Sequence, residues 1–118
     1  MSKKILVVDD DKTLLKLVDG VLSLKGYQVI SALDGEEGLL KLRQDKPDLI
    51  ILDIHMPKMN GYAFIQEVKG SADLKSIPII ILTSKDGMEE VFRTEGAQEY
   101  LVKPLDPEKL LQLVGRYI

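Results

Sequence analysis

The chain contains no cysteine. That excludes disulfides, a thiol nucleophile and a thiolate metal site, and it fits a cytoplasmic protein. Its longest apolar stretches, such as residues 77–82, fall far short of the roughly 20 residues needed to cross a bilayer, so no membrane role is expected. Lys3 and Lys4 precede an apolar segment too short for a signal-peptide core, and acids follow at once. Positive charge is not in excess: the net charge is −3, so this domain alone has no electrostatic case for binding nucleic acid. The P-loop pattern GxxxxGKS or GxxxxGKT is absent, as are low-complexity tracts, linkers and internal repeats. A length of 118 residues corresponds to a single domain, residues 1–118.

Two apolar runs are present, and each ends abruptly in acid. Ile5-Leu6-Val7-Val8 stops at Asp9-Asp10-Asp11, and Leu49-Ile50-Ile51-Leu52 stops at Asp53. Runs this apolar and β-branched read as strands buried on both faces, as in a parallel sheet. Between and after them, strand-like and helix-like segments alternate. Residues 12–25 carry Leu14, Leu15, Val18, Val21 and Leu22 at helical spacing, with Gly26 as a stop. A short strand over residues 27–32 follows. Asp34 then caps a helix reaching about Gln44, with Glu37 three positions on.

The third strand is Leu49–Asp53. Pro57 and Gly61 punctuate the loop after it, and a helix covers residues 62–69 with Phe64, Ile65 and Val68 inward. Pro78 opens the strand at residues 79–83, and a weak helix spans residues 88–95. The fifth strand spans residues 99–102. Asp106 caps a last helix with Pro107 at its first position and Leu110, Leu111, Val114 and Tyr117 on its apolar face. Five β-α units with short connections imply an α/β fold: a doubly wound five-stranded parallel sheet with five helices on both faces.

In a sheet ordered 2-1-3-4-5, strands one and three flank the switch point where such folds build their sites. Strand one delivers Asp9 and Asp10 there, and strand three delivers Asp53. Strand four ends in Thr83-Ser84, and strand five in Lys103-Pro104. Acids, a hydroxyl and an amine would converge. Clustered carboxylates repel one another and call for a cation, which points to phosphate chemistry. Taken alone, Asp9 and Asp10 read equally well as N-cap and first-turn acids, Thr83 as a β-former and Lys103 as a surface cation. Asp53 is harder to explain structurally, because a carboxylate ending a buried strand is costly unless paired.

The ordered set Val8-Asp9-Asp10, Leu52-Asp53 with Met56-Pro57 and Gly61, Leu82-Thr83-Ser84, Gly96-Ala97 with Tyr100, and Lys103-Pro104 resembles the response-regulator receiver domain, the CheY-like module of two-component signalling, over essentially the whole chain. The resemblance implies that Asp53 accepts a phosphoryl group and that Asp9 and Asp10 hold Mg²⁺ together with Asp53 and the backbone carbonyl of His55. It implies that Thr83 and Lys103 contact the phosphoryl group, with Thr83 and Tyr100 forming the switch. His55 and Lys85 stand where the family tunes phosphoryl lifetime, and a cis Lys103-Pro104 peptide fits its pattern. The implied partner is a sensor histidine kinase or a histidine phosphotransfer protein. The implied output face combines the fourth helix, the fifth strand and the last helix, on a monomer or a weak phosphorylation-dependent dimer. Such a domain is no enzyme beyond its own phosphorylation and dephosphorylation.

The sequence departs from the family between Thr83 and Gly96, which is shorter than expected and contains Gly87, so a short or irregular fourth helix is expected. Ser84 stands where a smaller residue is common and would crowd Asp53. Rival readings on the same architecture fit less well. A flavodoxin-like FMN site expects a hydroxyl-rich first loop, whereas this one is acidic. A haloacid-dehalogenase-type phosphohydrolase expects a second Asp two residues after the nucleophile, where His55 stands. A phosphorylation-independent interaction module does not require the complete acid set.

Overall fold

A computed structural model describes residues 2–54, 61–84 and 96–118. Five strands form one sheet: β1 (Lys4–Val8), β2 (Gln28–Ala32), β3 (Leu49–Asp53), β4 (Ile79–Thr83) and β5 (Glu99–Val102), in the order β2-β1-β3-β4-β5. Every pairing is parallel. Four helices lie among the described residues: α1 (Lys12–Ser23), α2 (Gly35–Asp45), α3 (Gly61–Lys69) and α4 (Pro107–Gly115). The helix expected at residues 88–95 lies outside the described residues, as do His55, Met56, Pro57 and Lys85.

Strand alternation sorts the core into two layers. Ile5, Val7, Leu49, Ile51, Ile80, Leu82 and Leu101 face α1 and α4, where they meet Leu15, Val18, Leu22, Leu110, Leu113 and Val114. Leu6, Val8, Ile50, Leu52, Ile79 and Ile81 face α2 and α3, meeting Leu39, Leu42, Phe64, Ile65 and Val68. Strands β3 and β4 are buried at every residue, as central parallel strands covered on both faces must be. The fit between layers is tight. A Cβ on Gly38 of α2 would stand 2.9 Å from Val8 Cγ2 and 3.0 Å from Phe64, so only glycine lets α2 approach β1 this closely.

Element boundaries depart from the sequence expectation at two helix ends. Helix α1 closes at Ser23 rather than Lys25, with Leu24 as its C-cap and Gly26 turning the chain at φ +90°. Helix α4 closes at Gly115, which removes Tyr117 from its apolar face; Leu113 takes the inward position and Leu111 is half-buried. At the sheet edge, the Lys41 ammonium donates to the Ser31 carbonyl of β2 and pairs with Glu37 at 3.3 Å. That covers a backbone acceptor which an edge strand would otherwise leave open.

Candidate functional site

The register of the parallel sheet brings the acids together. Val8 pairs with Leu52, so Asp9 follows β1 where Asp53 ends β3, and Asp53 itself pairs with Leu82 of β4. Asp9 is wholly buried and Asp53 nearly so, whereas Asp10 is exposed. Each of the three offers a carboxylate oxygen, and these oxygens lie within 4.8 Å of one another.

The N-cap of α1 is neither Asp9 nor Asp10 but Asp11, whose side chain accepts from the backbone N–H of Thr13 at 3.0 Å and Leu14 at 3.2 Å. The sequence reading missed this residue. Its signal was its place immediately before the first helical residue. Because Asp11 satisfies the helix end, the structural alternative for the two preceding acids is met by another side chain. Asp9 instead turns inward and accepts from the Asp11 backbone N–H at 2.9 Å.

Lys103 enters from the end of β5. Its ammonium donates to Asp9 Oδ2 at 3.0 Å and lies 3.6 Å from Asp53 Oδ2. Its backbone N–H donates to the Thr83 carbonyl at 2.7 Å, which fixes it against the end of β4. The Lys103–Pro104 peptide is cis.

Burial raises the Asp9 pKa; the Asp11 N–H and the hydrogen bond from Lys103 oppose that shift, and the Asp53 charge adds to it. Burial alone would lower Lys103, but the hydrogen bond to Asp9 and the charges of Asp53 and Asp9 outweigh it and leave its pKa raised. The pair is asymmetric because Asp9 is fully enclosed while the Lys103 side chain is 24% exposed.

Thr83 and Tyr100 occupy the other face of the sheet. Thr83 continues the alternation of Ile79 and Ile81 and is fully buried. Tyr100 pairs with Ile81, and its half-buried ring packs on the α2/α3 layer. The two predicted switch residues therefore share a face, the one opposite to that on which Asp9, Asp53 and Lys103 continue the strands. Ser84 is exposed directly after β4. His55, whose carbonyl completes the implied metal set, lies outside the described residues.

Three carboxylates against one ammonium leave net negative charge in a partly enclosed cleft. All the donors are hard oxygens, and Asp10 keeps one side open to solvent. This set fits Mg²⁺, which takes carboxylates and retains several waters. The arrangement presents an oxygen nucleophile, cation-binding acids and a positive side chain within one cleft, the parts that phosphoryl transfer requires.

The chain matches the family model described as "Response regulator receiver domain" over residues 5–115. It is 38% identical over 114 residues to the protein PilH of Pseudomonas aeruginosa, covering 95% of this chain and 94% of that one. It is 42% identical over 111 residues to a probable transcriptional regulator, ycf27, of Porphyridium aerugineum, covering 92% of this chain. There it spans only 45% of the relative's length. Its fold resembles the chemotaxis response regulator CheY4 of Vibrio cholerae at a TM-score of 0.93 and 36% identity, with both chains covered completely.

Proposed function

The chain belongs to the response-regulator receiver family, and we propose that within it Asp53 is the residue that becomes phosphorylated. A receiver of this kind has a phosphoacceptor signalling role. The finer reading is that an Asp53 oxygen attacks the phosphorus of a phosphohistidine on a sensor kinase or phosphotransfer protein. The new O–P bond forms as the N–P bond breaks, and the imidazole leaves. The observation that carries this reading is the meeting of Lys103 with both Asp9 and Asp53, at 3.0 and 3.6 Å, beside the exposed Asp10.

Asp9, Asp10 and Asp53 would hold Mg²⁺, with the His55 carbonyl, and the bound ion would neutralise charge on the transferring group. Lys103 is a compact donor placed to meet a phosphoryl oxygen. It enters the cleft already committed to Asp9, so it is oriented before any phosphoryl group arrives. Thr83, buried on the opposite face, supplies a hydroxyl. Its displacement toward the cleft would open space beside Tyr100 for an inward ring, a packing change that biases a two-state element. The chain then acts on no other substrate and catalyses only its own phosphorylation and dephosphorylation.

The test is intact-mass analysis after incubation with acetyl phosphate. The expected result is a single phosphoryl adduct that requires Mg²⁺ and disappears in Asp53→Ala. Continuous phosphate release over many turnovers would identify a phosphatase instead, and an adduct that survives in Asp53→Ala would place the acceptor elsewhere.

A further inference from the structure

Lys69 is the last residue of α3, and its side chain is half-buried. The stem lies against Gly96, where the backbone turns at φ +112° and a Cβ would stand 2.8 Å from Lys69 Cε. The ammonium donates to the Lys75 carbonyl at 3.1 Å, in the connection between α3 and β4. An ammonium carries three donors, so this one carbonyl leaves two without a protein acceptor. Among the described residues no carboxylate comes within ion-pair distance of it. The acids nearest in sequence are already taken: Glu67 meets Arg43 at 3.2 Å, and Asp73 lies 3.7 Å from Lys46. A charge drawn out of water is ordinarily paired, and this one is not. Burial accordingly lowers the Lys69 pKa. The amine is not sealed in, because Lys75, whose carbonyl it meets, is exposed.

We propose that Lys69 is an Nε-acylation site whose neutral amide the fold holds better than it holds the ammonium. The N–H on the Lys75 carbonyl orients the nitrogen, so in the free amine the lone pair turns away from that oxygen. The lone pair attacks the carbonyl carbon of an activated acyl donor, an acyl phosphate or an acyl thioester. The C–N bond forms, the bond from carbon to the phosphate oxygen or the thioester sulfur breaks, and the leaving group takes one amine proton. The amide keeps one N–H, enough for the Lys75 carbonyl, and carries no charge. An anionic product such as a carbamate would put a new charge where none can be matched. A lowered pKa enlarges the free-amine fraction more than it weakens the nucleophile, as the Brønsted coefficient of about 0.4–0.5 for thiols illustrates.

The experiment uses the full chain at mildly alkaline pH, with acetyl phosphate in one arm and acetyl-coenzyme A in the other. Peptide mass mapping reads the initial rate of acetylation at each lysine. Acetyl and phosphoryl adducts differ in mass, and the series is repeated in Asp53→Ala, so the outcome is independent of the phosphoacceptor reading. Lys69 is expected to react faster than the exposed Lys12, Lys16, Lys25 and Lys109 in at least one arm, and that arm identifies the donor. The lead is expected to be lost in urea, where the stem no longer lies against Gly96. Lys69→Arg assigns the signal, which should vanish from the peptide holding residues 69 and 75. Urea unfolding at neutral pH then compares each chain before and after acetylation. The midpoint is expected to rise in wild type and to stay unchanged in Lys69→Arg. A rate at Lys69 no higher than at the exposed lysines in both arms overturns the proposal, and so does a lead that survives in urea. An acetyl signal that persists in Lys69→Arg, or a midpoint change that is absent in wild type or equal in the two chains, overturns it as well.

Discussion

Lys103 and Asp9 stand 94 positions apart in the chain, yet the Lys103 ammonium donates to the wholly buried Asp9 carboxylate at 3.0 Å. Strand β5 and strand β1 are not neighbours; β3 and β4 lie between them. The contact therefore crosses the end of the sheet, over Asp53, and ties its two halves together at the cleft. It also leaves a charge balance that depends on both partners, and the first prediction follows from that dependence.

Replacing Lys103 by Met leaves Asp9 and Asp53 facing each other without a counter-charge. Breaking a fully buried pair costs roughly 3–5 kcal/mol, and the partial exposure of Lys103 reduces the expected loss to about 1–3 kcal/mol. Urea unfolding with a chelator present should show that loss, and saturating Mg²⁺ should recover most of it by binding the folded acids. Equal losses with and without Mg²⁺ would mean that Lys103 does not act by balancing charge. The same variant should form the Asp53 adduct about 10²–10³-fold more slowly, the usual effect of removing one preorganised charge-stabilising donor.

The Asp11 side chain caps α1 and its carboxylate is not among those gathered at the cleft, while its backbone N–H, which a substitution keeps, donates to Asp9. Asp11→Ala should therefore lower stability by about 1 kcal/mol, the ordinary value of an N-cap. The amides of Thr13 and Leu14 should lose exchange protection, while Mg²⁺-dependent adduct formation stays near the wild-type level. A loss of phosphorylation larger than the loss of stability would assign Asp11 to the site.

Gly61 begins α3 in close contact with the residue after Asp53. A Cβ there would stand 2.6 Å from Ile54 Cγ2 and 3.0 Å from the Ile54 Cα, and the backbone cannot give way as a flexible side chain can. Gly61→Ala should cost about 1–3 kcal/mol as overpacking. It should also slow phosphorylation, because relief of the clash moves Ile54 and with it Asp53. Thermal unfolding and the adduct rate check the two parts separately.

Lys69, at the end of α3, lays its stem across Gly96, and its ammonium donates to the Lys75 carbonyl at 3.1 Å. Burial lowers its pKa below the ordinary lysine value of 10.5. The folded chain thus holds this proton less firmly than the unfolded chain does. Unfolding takes up a proton in the interval from the lowered value to 10.5, so stability rises with pH across it. At neutral pH the charged form disfavours the fold. Denaturant melts over the alkaline range should show a smaller rise in Lys69→Met than in wild type, and parallel curves would remove the effect.

Much of this protein was legible in order along the chain. The strand runs, the Asp34 and Asp106 caps and the β-α alternation are local signals: apolar spacing reports burial, and a cap residue sits one position before its helix. The alternation then implied a doubly wound parallel sheet, and once the order 2-1-3-4-5 is supposed, the strand-end residues Asp9, Asp10, Asp53 and Lys103 fall at one crevice, as the structure has them. Local patterning also placed Tyr117 on a helix face, where it is not: α4 closes at Gly115, and Tyr117 lies in the turn that follows, its backbone N–H on the Val114 carbonyl.

Tertiary structure alone decided which acid Lys103 meets most closely, which of three consecutive aspartates caps α1, that Thr83 and Tyr100 share one face, and that the Glu99 carboxylate accepts from the Tyr117 hydroxyl. Each is a choice between chemically equivalent partners. Sequence periodicity fixes that a side chain points inward or outward, but the partner it finds depends on strand register and distance across the sheet, which neighbouring residues do not encode.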